Sequence, residues 1–457
     1  MSRKIYTILS LLLIAAFALT ACGAKATEAP AQPAATQAPA ATQAPAATQA
    51  AAATEAPAKK VTITWWHIST QDDQKAFLQK KADEYMSTHP NVTIEITVLE
   101  NEAFKSKLTT VMQSGEPPDI FHSWGGGVLN EYAKAGLLRN VNPELDADGS
   151  AWRNTFGAGA LGVYAYQGTN YGVPNDMGAV GFWYNKELFA KAGIQNTPTT
   201  WTELLDDVKK LKSANITPIA IGEGDKWPGH FWWGYLSTRI CGGSVFGAAT
   251  SGKGSFTDPC FVEAGKKLQE LNALKPFQDG FLSAVYNDEG AAMGNGKAAM
   301  ELMGQWAPVV EKDNSATKQG IGDKLAWFPF PMVEGGAGGP ADAYGGGGGF
   351  ALGKNAPDEA VDFVKFLSSV DTQIGMAKLG MVLPVVKGAE AGLTDPFLLT
   401  VQKAAAAAPF FQLYLDQALP PAVGSVVNDN VQGILAGTET PEQAAQAIND
   451  SAAQEIK

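Results

Sequence analysis

Three strand-like runs separated by two stretches of helical period constrain this chain more than any other feature. "VTITWW" (Val61 to Trp66) reads as a strand, "NVTIEITVL" puts Val92, Ile94, Ile96 and Val98 on one face of a second, and "PPDIFHSW" closes on a third. Between them Phe77, Leu78, Ala82, Tyr85 and Met86, then Phe104, Leu108, Val111 and Met112, recur at the spacing of an amphipathic helix. Strand, helix, strand, helix, strand is an α/β sheet with crossover helices, and ligands in such sheets bind beyond the carboxyl ends of the strands. That rule picks out Trp66, His67 and Trp124.

The pattern restarts after "YGVP" (171–174). "GAVGFWYNKELFAKAGI" predicts a strand and short helix, and "TPTTWTELLDDVKKLKSANITPIAIG" a helix burying Trp201, Leu204, Leu205, Val208 and Leu211, then a strand. Thr199 or Thr200 with Glu203 supplies its N-terminal cap. With 457 residues, a second lobe is also what core size demands. The glycine run Gly345 to Gly349 lacks the Lys and Ser/Thr of a phosphate loop and enters a strand, so it serves close approach of backbone to a neighbouring strand or to a ligand.

The amino-terminal residues read differently. Arg3 and Lys4 precede an apolar run from Ile5 to Leu19, the length of a signal-peptide core, so 1–21 is expected to be a signal peptide. "LTAC" (19–22) resembles a bacterial lipobox, which makes Cys22 the expected lipidation site; the alternative is a plain secretory signal. Residues 22–60, with their "ATQAPA" repeat, carry too little apolar surface to offset ordering entropy and read as a tether. Localisation is then a lipid anchor on the extracytoplasmic face of the cell membrane.

A net charge of −12 with only Arg139, Arg153 and Arg239 after Arg3 repels phosphate backbones, so no nucleic-acid partner is expected and an uncharged ligand fits best. His67, His89, His122 and His230 are scattered without zinc-site spacing, so neither metal nor cofactor is expected. Cys241 and Cys260 face an oxidising compartment, where a disulfide would contribute roughly 3 kcal/mol; two buried free thiols are the alternative.

"DKWPGHFWWGYL" (225–236) gathers six aromatic or imidazole rings in twelve residues, for core, for a membrane-interface belt or for stacking on a flat ligand. In order, "EPPDIF", "YGVPNDMGAVGFWYNKELFAKAGI", "PTTWTELLDDVKKLK", "KWPGHFWWGYL", "GKAAMELMGQW" and the glycine run followed by "LPVV" resemble the family 1 extracellular solute-binding proteins of ABC sugar importers, a group that includes the maltose-binding proteins. The resemblance runs from Val61 to Lys457. It implies a two-lobed periplasmic-binding-protein α/β fold of type II with discontinuous lobes and a hinge: lobe 1 from 61–173 plus 331–353, lobe 2 from 174–330 plus 354–457. Crossings are expected near Pro174, Phe328 to Pro331, and Gly353.

It also implies a monomeric, non-enzymatic importer component that captures a mono- or oligosaccharide and delivers it to membrane permease subunits. Asp176, with Asn175 beside it, matches a position whose carboxylate accepts hydrogen bonds from sugar hydroxyls, and Trp306 one whose indole stacks on a sugar ring. His230 and Trp233 share a helical face at i and i+3, and Gly347 offers a backbone amide. Trp65, Trp201 and Trp327 are expected in the core, with Trp183 and Trp232 undecided. Two other readings compete: a receptor for a non-sugar solute, and a secreted glycoside hydrolase using two carboxylates such as Asp176 and Glu223.

Overall fold

A computed structural model of the protein describes residues 59–456. The expected signal peptide, the lipidation at Cys22 and nearly all of the tether lie outside these residues. Along the chain, β1 (Val61–His67), α1 (Asp72–Thr88), β2 (Val92–Val98), α2 (Asn101–Ser114), β3 (Ile120–Ser123) and α3 (Gly126–Lys134) alternate as the sequence predicts. A ribbon of β4 (Ala165–Tyr166) and β5 (Thr169–Asn170) leads into β6 (Gly172–Pro174). Next come β7 (Gly178–Ala179), β8 (Gly181–Asn185), α4 (Trp201–Ser213), β9 (Thr217–Ile219), α5 (Trp227–Thr250), α6 (Pro259–Ala273), α7 (Tyr286–Gly294), β10 (Ala298–Met303), α8 (Ala307–Asn314) and β11 (Leu325–Phe328). The remainder is β12 (Ala343–Gly346), β13 (Gly349–Leu352), α9 (Asp358–Leu367), α10 (Val370–Lys378), α11 (Pro396–Ala407), β14 (Phe411–Leu413), α12 (Leu415–Ala418), α13 (Pro421–Ala436) and α14 (Pro441–Glu455).

Two sheets organise two lobes. The first runs β2-β1-β3-β13-β6, with β1 parallel to β2 and β3, and β13 antiparallel to β3 and β6. The second runs β11-β8-β10-β9, with β8 antiparallel to both its neighbours. A third, small sheet, β14-β12-β7, gathers the three segments that pass between them. The glycine run is built for this junction. A Cβ on Gly345 would strike the Gly178 carbonyl, on Gly346 the Tyr414 ring, on Gly347 the Asp176 carbonyl and on Gly348 the His122 ring. None of these glycines has a positive φ, so close packing rather than backbone conformation excludes a side chain.

The expected lobe boundaries need correcting at their carboxyl-terminal half. Residues 331–342, expected in lobe 1, lie on lobe 2: Arg239 of α5 donates to the carbonyls of Phe330, Pro331, Gly339, Pro340 and Asp342, and Met332 bridges to Thr200. The second crossing is therefore the glycine run itself. Helices α9 and α10, expected in lobe 2, pack on α1, β1 and β13 of lobe 1 because Phe363 meets Trp65 and Tyr85 edge-on or tilted. The third crossing falls between α10 and β14 rather than near Gly353.

Local chemistry follows the sequence where caps are strong. Thr200 and Glu203 form a capping box that starts α4, whose buried face carries the five residues its period predicts. Cys241 and Cys260 are joined in a disulfide that ties α5 to α6, with Cα atoms 5.1 Å apart. Trp65, Trp201 and Trp327 are core residues, and so are Trp183 and Trp232. Among the described residues no helix is long and apolar enough to cross a membrane.

Candidate ligand-binding cleft

A cavity of about 230 Å³ opens at the carboxyl ends of β1 and β3, against the small junction sheet. Lobe 1 contributes Ser69 and Gln71 from the loop after β1, His122 from β3, and Trp124 just beyond it. Asn175, Asp176 and Gly347 come from the crossings. The opposite wall is aromatic: Trp227, Phe231, Tyr286, Trp306 and Tyr414, with His230 and Asp416 among them. The volume falls below the range of drug-sized ligand pockets, roughly 300 to 1,000 Å³, and suits a small ligand.

Of the residues the sequence singles out, Trp124, Asn175, Asp176, His230, Trp306 and Gly347 come together here. Three do not. Trp66 lies at the carboxyl end of β1 but alternation turns it to the other face, among the α2 residues, with Lys107 Nζ 4.5 Å from its ring centroid. His67 lines a neighbouring cavity of about 40 Å³ and accepts the Ser69 N–H on Nδ1. Trp233 is 1% exposed and packs on Phe256 and Phe261, its indole N–H donating to the Phe261 carbonyl. The cleft face of α5 is instead Trp227, His230 and Phe231, at i, i+3 and i+4, because α6 claims the turn that carries Trp233. Glu223 is buried and does not line the cleft, so it is not the partner carboxylate of Asp176 that a hydrolase reading would need.

Asp176 is the polar centre of the junction. Its Oδ2 accepts from Gln305 Nε2 at 2.5 Å and its Oδ1 from the Leu383 N–H at 2.6 Å. Burial pushes its carboxyl up to about 7, opposed by those donors. Burial acts oppositely on the imidazoles: His122 is lowered to about 3 and His230 to about 4, so both rings are neutral at physiological pH and each presents one donor and one acceptor.

The cleft wall holds polar atoms that the fold leaves without partners. His122 Nε2, Trp227 Nε1, both His230 nitrogens, and the Tyr286 and Tyr414 hydroxyls are buried and make no hydrogen bond within the described residues. An unpaired buried polar group costs about 1 to 3 kcal/mol, so six such atoms around one cavity mark it as shaped for a ligand rich in hydrogen-bonding groups. The aromatic plates beside them suit a ligand with apolar faces as well.

Sequence reasoning missed Trp227, Phe231, Tyr286, Tyr414 and Asp416. Trp227 and Phe231 stand in the quoted aromatic stretch, and the i, i+3, i+4 alternative was there to be read. Tyr286, Tyr414 and Asp416 sit in segments without local signature and reach the cleft only through tertiary packing.

Residues 69–374 match the family described as bacterial extracellular solute-binding protein. The chain is 26% identical over 250 residues to an uncharacterized ABC transporter extracellular-binding protein of Pyrococcus horikoshii, covering 53% of this chain and 54% of that one; it thus spans about half the length of that relative. It is 26% identical over 333 residues to the diacetylchitobiose binding protein DasA of Streptomyces coelicolor, covering 71% and 73%. Among solved structures, a protein from work on xylan utilization by Caldanaerobius polysaccharolyticus superposes with TM-score 0.80 at 29% identity, covering 85% of this chain and 99% of that one. A chitin oligosaccharide binding protein superposes with TM-score 0.79 at 28% identity, covering 87% and 99%.

Proposed function

The chain belongs to the bacterial extracellular solute-binding proteins, and on that premise we propose that it captures an uncharged mono- or oligosaccharide in the interlobe cleft and delivers it to the permease subunits of an ABC importer. The observation that carries this reading is the pairing, in one cavity, of aromatic plates with six buried polar atoms lacking partners. A pyranose has apolar C–H faces and a rim of hydroxyls, each both donor and acceptor, so it answers both halves of that wall. Neutral imidazoles and a shortage of cations favour such a ligand over an anionic one. The proposal extends to a monomer without catalytic activity, tethered through a lipid on Cys22.

Titration calorimetry and thermal shift of the intact protein against xylobiose, N,N′-diacetylchitobiose, maltose and raffinose test the reading. A true ligand at 100 times its Kd adds about 2.7 kcal/mol of stability. Binding of a polyamine or a glycerol phosphate with no response to any saccharide overturns it. Fatty-acid labelling that persists in Cys22→Ser overturns the anchor.

A further inference from the structure

Asp416 is a carboxylate with its position settled and its hydrogen bonds unmade. It begins the cleft wall on α12, its side chain is 9% exposed, and it accepts no side-chain hydrogen bond within the described residues. Two potential donors flank it from different elements. His230 Nε2 on α5 lies 3.8 Å from Oδ1, and Lys105 Nζ on α2, in lobe 1, lies 3.9 Å from Oδ2. Both separations exceed the reach of an N–H···O hydrogen bond, about 3.2 Å, yet each is short enough for one oxygen atom to touch both partners. Lys105 is held in place by Glu102 at 3.0 Å and lies 5.6 Å from the Trp124 ring centroid. His230 is wholly buried with neither nitrogen paired.

A carboxylate has only acceptors, an ammonium only donors, and a hydroxyl is both. One hydroxyl can donate to Oδ2 while accepting from Lys105, and a neighbouring hydroxyl can donate to Oδ1 while accepting from His230 Nε2–H. Because both carboxylate oxygens belong to one rigid plane, two hydroxyls on adjacent ligand carbons match their spacing. We propose that Lys105, Asp416 and His230 form a clamp for a vicinal diol, with Asp416 the residue that determines which pair of adjacent hydroxyls the cleft accepts. This assignment rests on the saccharide reading above. The clamp spans both lobes, so the diol it holds also bridges Lys105 of lobe 1 to the aromatic wall of lobe 2.

The test is a cycle between protein and ligand. The four saccharides named above are titrated into the wild type, and monodeoxy analogues of whichever binds are titrated into the wild type and Asp416→Asn, with apo melting curves reporting folding. The clamp predicts a loss of about 10- to 100-fold for Asp416→Asn with the parent sugar. It also predicts that removing either of two adjacent hydroxyls weakens the wild type comparably while costing the variant little. If Asp416→Asn does not fold, Lys105→Met carries the same cycle. Parent-sugar affinity within about twofold of wild type, or deoxygenation penalties that are the same in wild type and variant, overturns the clamp and leaves the saccharide reading intact. No binding of any saccharide to the wild type overturns both.

Discussion

Gln305 Nε2 donates to Asp176 Oδ2 at 2.5 Å, so a lobe 2 residue following β10 grips the carboxylate at the first crossing, whose other oxygen takes the Leu383 N–H. Burial raises this carboxyl to about 7 from an unfolded value near 4. Between those values the folded state holds the proton more tightly than the unfolded chain. The resulting stabilisation is complete below pH 4 and lost as pH rises through 7. His67, His122 and His230 oppose it, since burial lowers them to about 4, 3 and 4 and their contribution is lost as pH falls below about 6.5. Comparing Asp176→Asn with wild type cancels the histidines. Urea midpoints at pH 5 and pH 8 should fall less in the variant between the two conditions; equal changes contradict the assignment.

Trp306 and Trp233 separate ligand contact from core. Trp306 is half-buried at the cleft, whereas Trp233 is enclosed by Phe256 and Phe261. Trp306→Ala should weaken saccharide binding by about 2 kcal/mol with a small change in melting temperature. Trp233→Ala should cost about 3 to 5 kcal/mol of stability through its cavity. Calorimetry and melting curves on both variants check the pair, and the reverse pattern would exchange their roles.

Periodicity made the alternation of strands and helices readable, because β1, β2 and the buried face of α4 follow intrinsic spacing with little tertiary override. It failed at side-chain facing on short elements. Trp66 and His67 are neighbours on β1 and necessarily point to opposite faces, and only the packing of α2 decides which faces what. The lobe boundary after Gly353 failed for a related reason: α9 is amphipathic whichever sheet it covers, and only Trp65 and Tyr85 select lobe 1. The capping box was local and survived, whereas of the two site residues named from the aromatic stretch His230 reaches the cleft and Trp233 does not. Asp416 has no local signal at all, since its meaning comes from Lys105 and His230, far away in sequence.

The glycine run makes a prediction about packing. Gly347→Ala would press a methyl group into the Asp176 backbone, which cannot turn aside as a side chain can. The expected cost is about 1 to 3 kcal/mol, with weaker ligand binding because Asp176 shifts too. Gly157 serves as control, having φ −70° and nothing within 4 Å of an added Cβ. Gly157→Ala should stay within about 0.5 kcal/mol of wild type. Urea unfolding of both variants decides whether close approach explains the run.

Glu289, Glu301 and Glu311 are buried together behind Tyr286, and none of them forms an ion pair with a cation among the described residues. Burial raises all three, Glu301 to about 7, so the folded state retains protons that the unfolded chain releases. Stability from this cluster is present below the unfolded value near 4.5 and declines as pH rises toward 7 and beyond. Glu301→Gln, which removes one charge and keeps the shape, should stabilise the protein relative to wild type at pH 8 more than at pH 5. A larger gain at the acid end would show that the cluster is charged in the fold.

The disulfide between Cys241 and Cys260 supplies the last prediction, because it acts on the same helix that presents Trp227, His230 and Phe231. It closes a loop of sequence separation 19, for which the chain-entropy model gives roughly 3 kcal/mol. Cys241 is the last residue before Gly242, whose φ of 72° breaks α5, so the bond anchors the far end of the segment whose first two turns carry the cleft face. Those turns are held by Tyr235, whose hydroxyl donates to the Val180 carbonyl at 2.6 Å and whose ring stacks on Phe330 at 4.6 Å. The double Cys241→Ser, Cys260→Ser variant should therefore unfold at lower urea, with saccharide affinity within about twofold of wild type in the native range. A matching loss of affinity would mean that the helical turns between Phe231 and Cys241 transmit strain and that the cleft depends on the disulfide for its shape.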